Sequence, residues 1–207
     1  MDMLTAIGYV VTFAFASGIN LYATIAVLGL CSRYDFVPLP AQFQAFDNPI
    51  LIGIAVTLFL VEFVADKIPW VDSVWDAVHT IVRPVGGALI AVTALDAQSN
   101  AMDLVAALLG GSVALTTHLA KTGTRAAVNT SPEPFTNWVL SIVEDVFTIA
   151  FSYVALQHPI AALAVAVALL ALILVFASVL VRAIRRRFRR DAGPGGPDVV
   201  SGMPIKA

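Results

Sequence analysis

Long apolar stretches alternate along the chain with short segments rich in Pro, Asn, Asp and Lys. A helical span needs about 20 apolar residues at ~1.5 Å each. The first stretch, residues 3–31, exceeds one crossing, and its middle holds Ser17-Gly18-Ile19-Asn20. Glycine there serves either close helix contact or a local break that turns backbone groups toward a cavity, and both readings stay open. Asn48-Pro49 supplies an N-cap and a first-position proline for a second span over 49–66, stopped by Pro69. Asp72 is the expected cap of a third helix reaching Leu95, bent by Pro84 and Gly86-Gly87. Ser99-Asn100 with Asp103 opens a fourth, to about Lys121. Ser131-Pro132-Glu133-Pro134 opens a fifth that ends near Gln157. His158-Pro159 then turns into a sixth over 160–190, apolar all round in its membrane part and expected to be a lipid-facing wall.

Composition supports the same class. Of 207 residues, 59% are hydrophobic and 13% charged, against about 45–50% and about 25% in a soluble domain. That balance excludes disorder, a nucleic-acid arm and an ordinary water-soluble enzyme. The expectation is an all-α integral membrane protein of about six transmembrane helices, in one domain over 1–190. A Gly/Pro-rich cytoplasmic tail at 191–207 is expected to be disordered. The net charge of −2 hides an asymmetry: six of the twelve Lys and Arg residues lie between Arg182 and Arg190. Such a run reads as a cytoplasmic anchor that can also touch anionic headgroups. Cys31 is the single cysteine, so no intrachain disulfide forms. The first segment lacks a basic leader and is expected to be retained as a helix.

With six spans, the inner loops carry Lys67, Lys121 and Arg125 and the outer loops only Arg33. The positive-inside rule then agrees with six spans and both termini in the cytoplasm of a multi-pass protein. The second and third helices resemble the fourth and fifth as a pair of hairpins, with Trp75 and Trp138 early in each returning helix. If so related, the hairpins share an axis along the membrane normal.

Polar positions within the spans carry the functional signal, because charges there are costly and are functional by default. At about 100° per residue, Asp72, Asp76, His79 and Arg83 fall within about 60° on the third helix. Glu62 and Asp66 share a face of the second; His118, Lys121, Arg125 and Asn129 share one on the fourth; Asn137, Ser141, Glu144 and Thr148, beside Asp145, share one on the fifth. Within-helix pairs (Asp76 with His79, His79 with Arg83, Glu62 with Lys67) stand at contact spacing. Yet seven acids, Glu133 included, face four Lys and Arg and two His across these stripes, more than pairing needs. The stripes are expected to converge on a cavity open to the cytoplasm, lined by Asn20, Glu62, Asp66, Asp72, Asp76, His79, Arg83, His118, Lys121, Arg125, Asn129, Glu144 and Asp145.

Carboxylates clustered with His79 suit protons or cations. Glu62, Asp66, Asp76 and His79 offer hard ligands for a divalent metal, a minor alternative without a ligand signature; no cofactor is expected. Lys121, Arg125, Asn129, Thr130 and Ser131 form a donor-rich segment suited to phosphate. A membrane-embedded enzyme or flippase acting on a lipid phosphate is therefore the alternative to a transporter or channel for an ion or small charged solute. No nucleophile motif or phosphate loop supports it, and no catalytic residue is assigned. The expected partners are the bilayer and that solute, with self-association left open.

Four motifs occur in order: Ser17-Gly18-Ile19-Asn20-Leu21-Tyr22-Ala23; Glu62-Phe63-Val64-Ala65-Asp66-Lys67-Ile68-Pro69; Trp75-Asp76-Ala77-Val78-His79-Thr80 with Arg83-Pro84; and Asn129-Thr130-Ser131-Pro132-Glu133-Pro134. With them the chain resembles, over about residues 1–180, a family of small bacterial membrane proteins known as domain of unknown function 4126. The resemblance implies an inner-membrane protein and carries over no catalytic role.

Overall fold

The computed structural model describes residues 1–96, 99–129 and 134–191, with the side chains at 69, 129, 134 and 187–191 outside the description. The predicted tail lies outside it from 192 onward. Among the described residues the chain forms seven α-helices, one short 3-10 turn and no strand. It divides into two units, Met1–Ala171 and Leu172–Ala207.

The first apolar stretch is two helices, α1 (Met3–Ile19) and α2 (Leu21–Arg33). Asn20 between them is extended, with φ −146° and ψ 101°. Its side-chain oxygen accepts from the Ala23 N–H at 2.9 Å, so the residue that ends one helix caps the next. Asparagine does this because its short amide competes with the backbone for hydrogen bonds.

Both limbs open on the same end of the unit. Met1, Met3 and Ala6 share a cavity of about 540 Å³ with Gln42, Leu95 and Met102, and Gln42 donates to the Ala94 carbonyl at 3.3 Å. At this end the 3-10 turn Ala41–Phe46 docks through Phe43 against Tyr9 and Phe13, at ring separations of 5.0 and 5.7 Å. Arg33 closes α2 beside Asp47, which precedes α3 (Pro49–Ala65). The pair α1–α2 thus folds back on itself, with Asn20 at its buried apex. The sequence predicts one crossing over 3–31 and a start of the chain on the same side as Lys67. The break sends the chain back instead, and places its start at the end opposite Lys67.

The remaining elements follow the sequence closely. Asn48 caps α3 by accepting from the Ile50 and Leu51 N–H groups, with Pro49 in the first turn. The third predicted helix begins a turn earlier than expected: α4 (Pro69–Leu95) starts on Pro69, and Asp72 lies in its first turn rather than capping it. Proline is preorganised for a first helical position, so the residue that stops α3 also starts α4. Ser99 opens α5 (Asn100–Asn129), accepting from the Met102 N–H at 3.4 Å. Ser131 and Glu133, expected to open the next helix, lie outside the described residues; α6 is Pro134–Gln157 and α7 is Pro159–Asp191. In the second unit α7 continues with mostly exposed side chains as far as 186.

Small residues set how closely the helices approach. An added Cβ at Gly110 of α5 would lie 2.8 Å from the Gly87 carbonyl oxygen of α4. One at Gly18 of α1 would lie 2.7 Å from the Thr117 Cβ of α5. Backbone approach through small residues is how helices pack where lipid removes the hydrophobic drive.

Candidate functional site: a buried charged centre at the re-entrant apex

The ionisable stripes converge. Glu62 on α3, Arg83 on α4 and Lys121 on α5 are each almost completely buried. Glu62 Oε1 accepts from Arg83 Nη2 at 2.6 Å and from Lys121 Nζ at 3.3 Å. Lys121 also donates to Asp66 Oδ2 at 3.2 Å. Arg125 reaches the same Asp66 oxygen at 2.8 Å and Glu144 Oε2 of α6 at 2.6 Å. Asn137 of α6 accepts from Arg125 at 2.9 Å and donates to the Asp66 backbone carbonyl at 3.0 Å. Helices α3 to α6 are therefore tied by one continuous ionic network. Buried charges survive only when paired in this way.

The apex of α1–α2 is built into the network. A helix C-terminus carries bare carbonyls and a partial negative charge. Here Arg83 Nη1 donates to the Gly18 carbonyl at 3.0 Å and Lys121 Nζ to the Ile19 carbonyl at 3.2 Å. The N-terminus of α2 carries the opposite partial charge, and the carboxylate of Asp145 stands beside it, bonded to Asn20 Nδ2 at 2.9 Å. Cations cap one half-helix and an acid attends the other.

Two histidines line the network. His79 is stacked on Trp75 with ring centroids 4.6 Å apart. Its Nδ1 is 2.7 Å from the Trp75 carbonyl and its Nε2 is 3.0 Å from the Tyr22 hydroxyl. His118 has Nδ1 2.9 Å from Arg83 Nη1 and Nε2 3.1 Å from both the Asp76 carbonyl and Thr80 Oγ1. Beside it, a cavity of about 230 Å³ opens between α4 and α5, lined by Asp72, Asp76, Thr80 and Arg125 among others. At the turn after α3, Lys67 Nζ lies 3.0 Å above the Phe63 ring centre and donates to the Phe63 carbonyl. Burial holds that ammonium below the usual lysine range, with Asp145 and Asp66 acting the other way.

Of the thirteen residues expected to line a cavity, twelve meet in this centre or border it; the Asn129 side chain lies outside the described residues. What they form differs from the expectation. They make a dense buried network with the cavity at its flank, not a shared open basin. Of the predicted pairs along one helix, Glu62 turns to Arg83 and Lys121, Lys67 sits over Phe63, and His79 turns to Tyr22 and Trp75. Glu62 and the His79 Nε2 reach other helices, whereas Lys67 and the His79 Nδ1 take carbonyls four residues back on their own chain segment. Tyr22, Trp75 and Thr80 were not expected at the site. All three lie in the quoted motifs, but aromatic and hydroxyl residues on an apolar helix give no charge signal. Trp75 is partly buried against His79, whereas Trp138 is exposed and donates to the Lys67 carbonyl, so the two tryptophans of the proposed hairpins have different surroundings. Among the described residues no group of three or more His, Cys, Asp or Glu is placed to hold a metal ion.

Four helices, α4 to α7, are long and apolar enough to cross a membrane. Together with the shorter apolar helices and the buried ionic centre, they define a helical membrane protein. The family model described as domain of unknown function 4126 matches residues 7–179, and the chain belongs to that family. No curated protein and no solved structure matches it significantly.

Proposed function

We propose that the protein is a small multi-pass transporter of the inner membrane that moves a cation, or a solute coupled to one, past the apex of the re-entrant pair. One observation carries this reading: a discontinuous helix pair ends in a buried centre where carboxylates outnumber fixed cations. Glu62, Asp66, Asp72, Asp76, Glu144 and Asp145 stand against Arg83, Lys121 and Arg125. Half-helices meeting near mid-depth are a recurrent way of presenting backbone and charge to a transported ion, and an acid excess in low dielectric favours positive charge. The lipid-phosphate alternative loses ground because Lys121 and Arg125 are already bonded to Asp66 and Glu144.

On this reading the Lys67 end faces the cytoplasm, and the start of the chain faces the opposite side. Cation or proton flux in proteoliposomes tests the function: Asp76→Asn and Asp145→Asn each abolish flux while the protein still purifies folded. Unchanged flux in both variants overturns it. Labelling by an impermeant maleimide tests the orientation. A cysteine replacing Asp2 reacts from outside intact cells and one replacing Lys67 does not.

A further inference from the structure

Resting on the transport reading, we propose that the ion is a proton, and that it binds Nε2 of His79 against the Tyr22 hydroxyl on the first turn of α2. The hydrogen bonds of the two buried histidines assign their protons. A carbonyl only accepts, so the 2.7 Å contact with the Trp75 carbonyl puts a proton on His79 Nδ1. In the neutral ring His79 Nε2 is then the lone pair, and it receives the Tyr22 O–H at 3.0 Å. An arginine only donates, so the 2.9 Å contact with Arg83 puts the lone pair of His118 on Nδ1. Its proton is on Nε2, facing the Asp76 carbonyl and the Thr80 hydroxyl, which itself donates to that carbonyl.

The two rings therefore answer an incoming proton differently. Protonating His118 would set an N–H against a guanidinium N–H and break the Arg83 contact. Protonating His79 breaks nothing on the ring. The Nε2 lone pair takes a proton given up by hydronium, which leaves as water; the imidazole becomes imidazolium, and the Tyr22 hydroxyl rotates from donor to acceptor. Three of its contacts suit the cation better than the neutral ring: the Trp75 carbonyl, the Tyr22 oxygen and the face of the Trp75 indole. Facing groups on other elements are Glu62 of α3, which favours the charge, and Lys121 and His118 of α5; on α4 itself stand Asp76 and Arg83. Burial opposes the charge most, and Arg83 and Lys121 oppose it as well. Because Tyr22 is two residues from Asn20, the reversed bond acts next to the re-entrant apex, where a proton would be coupled to movement of α2.

The test is nitrogen-15 NMR of the histidine side chains in the full chain, in nanodiscs, across about pH 5 to 8, where an imidazole changes charge. The chain has three histidines, and exposed His158 serves as the reference. His79→Gln assigns the signals; Tyr22→Phe, which keeps the ring, assigns them independently by moving the His79 Nε2 resonance alone. The expected result is a neutral Nδ1–H form of His79 that becomes doubly protonated on acidification, while His118 stays neutral as its Nε2–H form. Protonation of His118 first, or a His79 that stays neutral over that range, overturns the proposal. The NMR readout requires no transport. Flux without His79 titration removes this site and leaves the transport reading standing, whereas titration without flux does the reverse.

Discussion

Helices α4 and α5 are held together in two different ways along one shared length. Toward the aromatic end, Gly87 and Ala91 lie against Gly110 and Ala114, close enough that a Cβ on Gly87 would stand 2.9 Å from Ser17 Oγ of α1 and 3.2 Å from the Gly110 carbonyl oxygen. Toward the charged end a cavity of about 230 Å³ opens between the same helices, and Arg83–His118 and Thr80–His118 bonds link them beside it. The first half is fixed by shape and has no slack. The second is fixed by exchangeable hydrogen bonds and ion pairs, which can re-form in another arrangement without leaving a void. On the proposed reading, the centre can change protonation while the half fixed by shape keeps the helices together.

The largest effect expected is in the charged half. Arg83 holds Glu62, His118 and the Gly18 carbonyl at once. Arg83→Leu leaves the buried Glu62 carboxylate with the longer 3.3 Å contact to Lys121, and removing one partner of a buried pair costs about 3–5 kcal/mol. Thermal unfolding in detergent should show that loss, and the double variant Glu62→Leu with Arg83→Leu should recover part of it. A single variant as stable as the parent would mean that the network does not hold the helices.

The small-residue half predicts a smaller loss of opposite character. Gly110→Ala forces a methyl against the α4 backbone, and overpacking of this kind costs about 1–3 kcal/mol. Gly123, thirteen residues on in the same helix, has nothing within 4 Å of an added Cβ. Gly123→Ala should therefore stabilise by about 0.5–1 kcal/mol, the helix-interior penalty of glycine. The same substitution with opposite signs on one helix is the sharpest check on the division, and equal effects would erase it.

Much of this arrangement was legible in the sequence, and the reasons separate cleanly. The α3 cap at Asn48-Pro49 and the turn at His158-Pro159 are local chemistry, so sequence and structure agree. The stripes were legible because charge on an apolar helix has few places to go, and Glu62, Arg83, Lys121 and Arg125 do converge. Their partners were not, since spacing along a helix says which residues share a face and nothing about which helix lies opposite. The Asn20 break was visible only as one of two readings of Ser17-Gly18-Ile19-Asn20. The observation that decides it is long-range: Arg83 and Lys121 take the freed α1 carbonyls, and Asp145 takes the Asn20 amide. In the sequence Pro69 shows as a stop alone, because a proline that ends one helix and begins the next carries a single sequence signal.

A moderate effect is expected at the apex, where the two halves meet. Asn20→Ala removes the cap of α2 and the bond to Asp145, and loss of such a cap costs about 0.5–2 kcal/mol. Asn20→Asp keeps an acceptor for the Ala23 N–H but sets a second carboxylate beside Asp145. If the apex depends on the cap, Asp should unfold at a temperature between Ala and the parent. If it depends on the Asp145 bond, Asp should be worse than Ala.

The smallest effect lies outside the centre, in an ion pair of the same chemistry. Arg33 and Asp47 stand 3.0 Å apart at the aromatic end, with side-chain exposures of 42% and 36%, against 0% for both Arg83 and Glu62 at 2.6 Å. Exposed pairs of this geometry contribute about 0–1 kcal/mol because water and salt screen them. Arg33→Ala should leave the unfolding temperature almost unchanged, and what little it loses should vanish in high salt. The Arg83 penalty should persist there, since ions do not reach it. Equal salt sensitivity of the two variants would mean that water enters the centre freely, and the contrast between a fixed half and an exchangeable half would then have to be redrawn around a hydrated core.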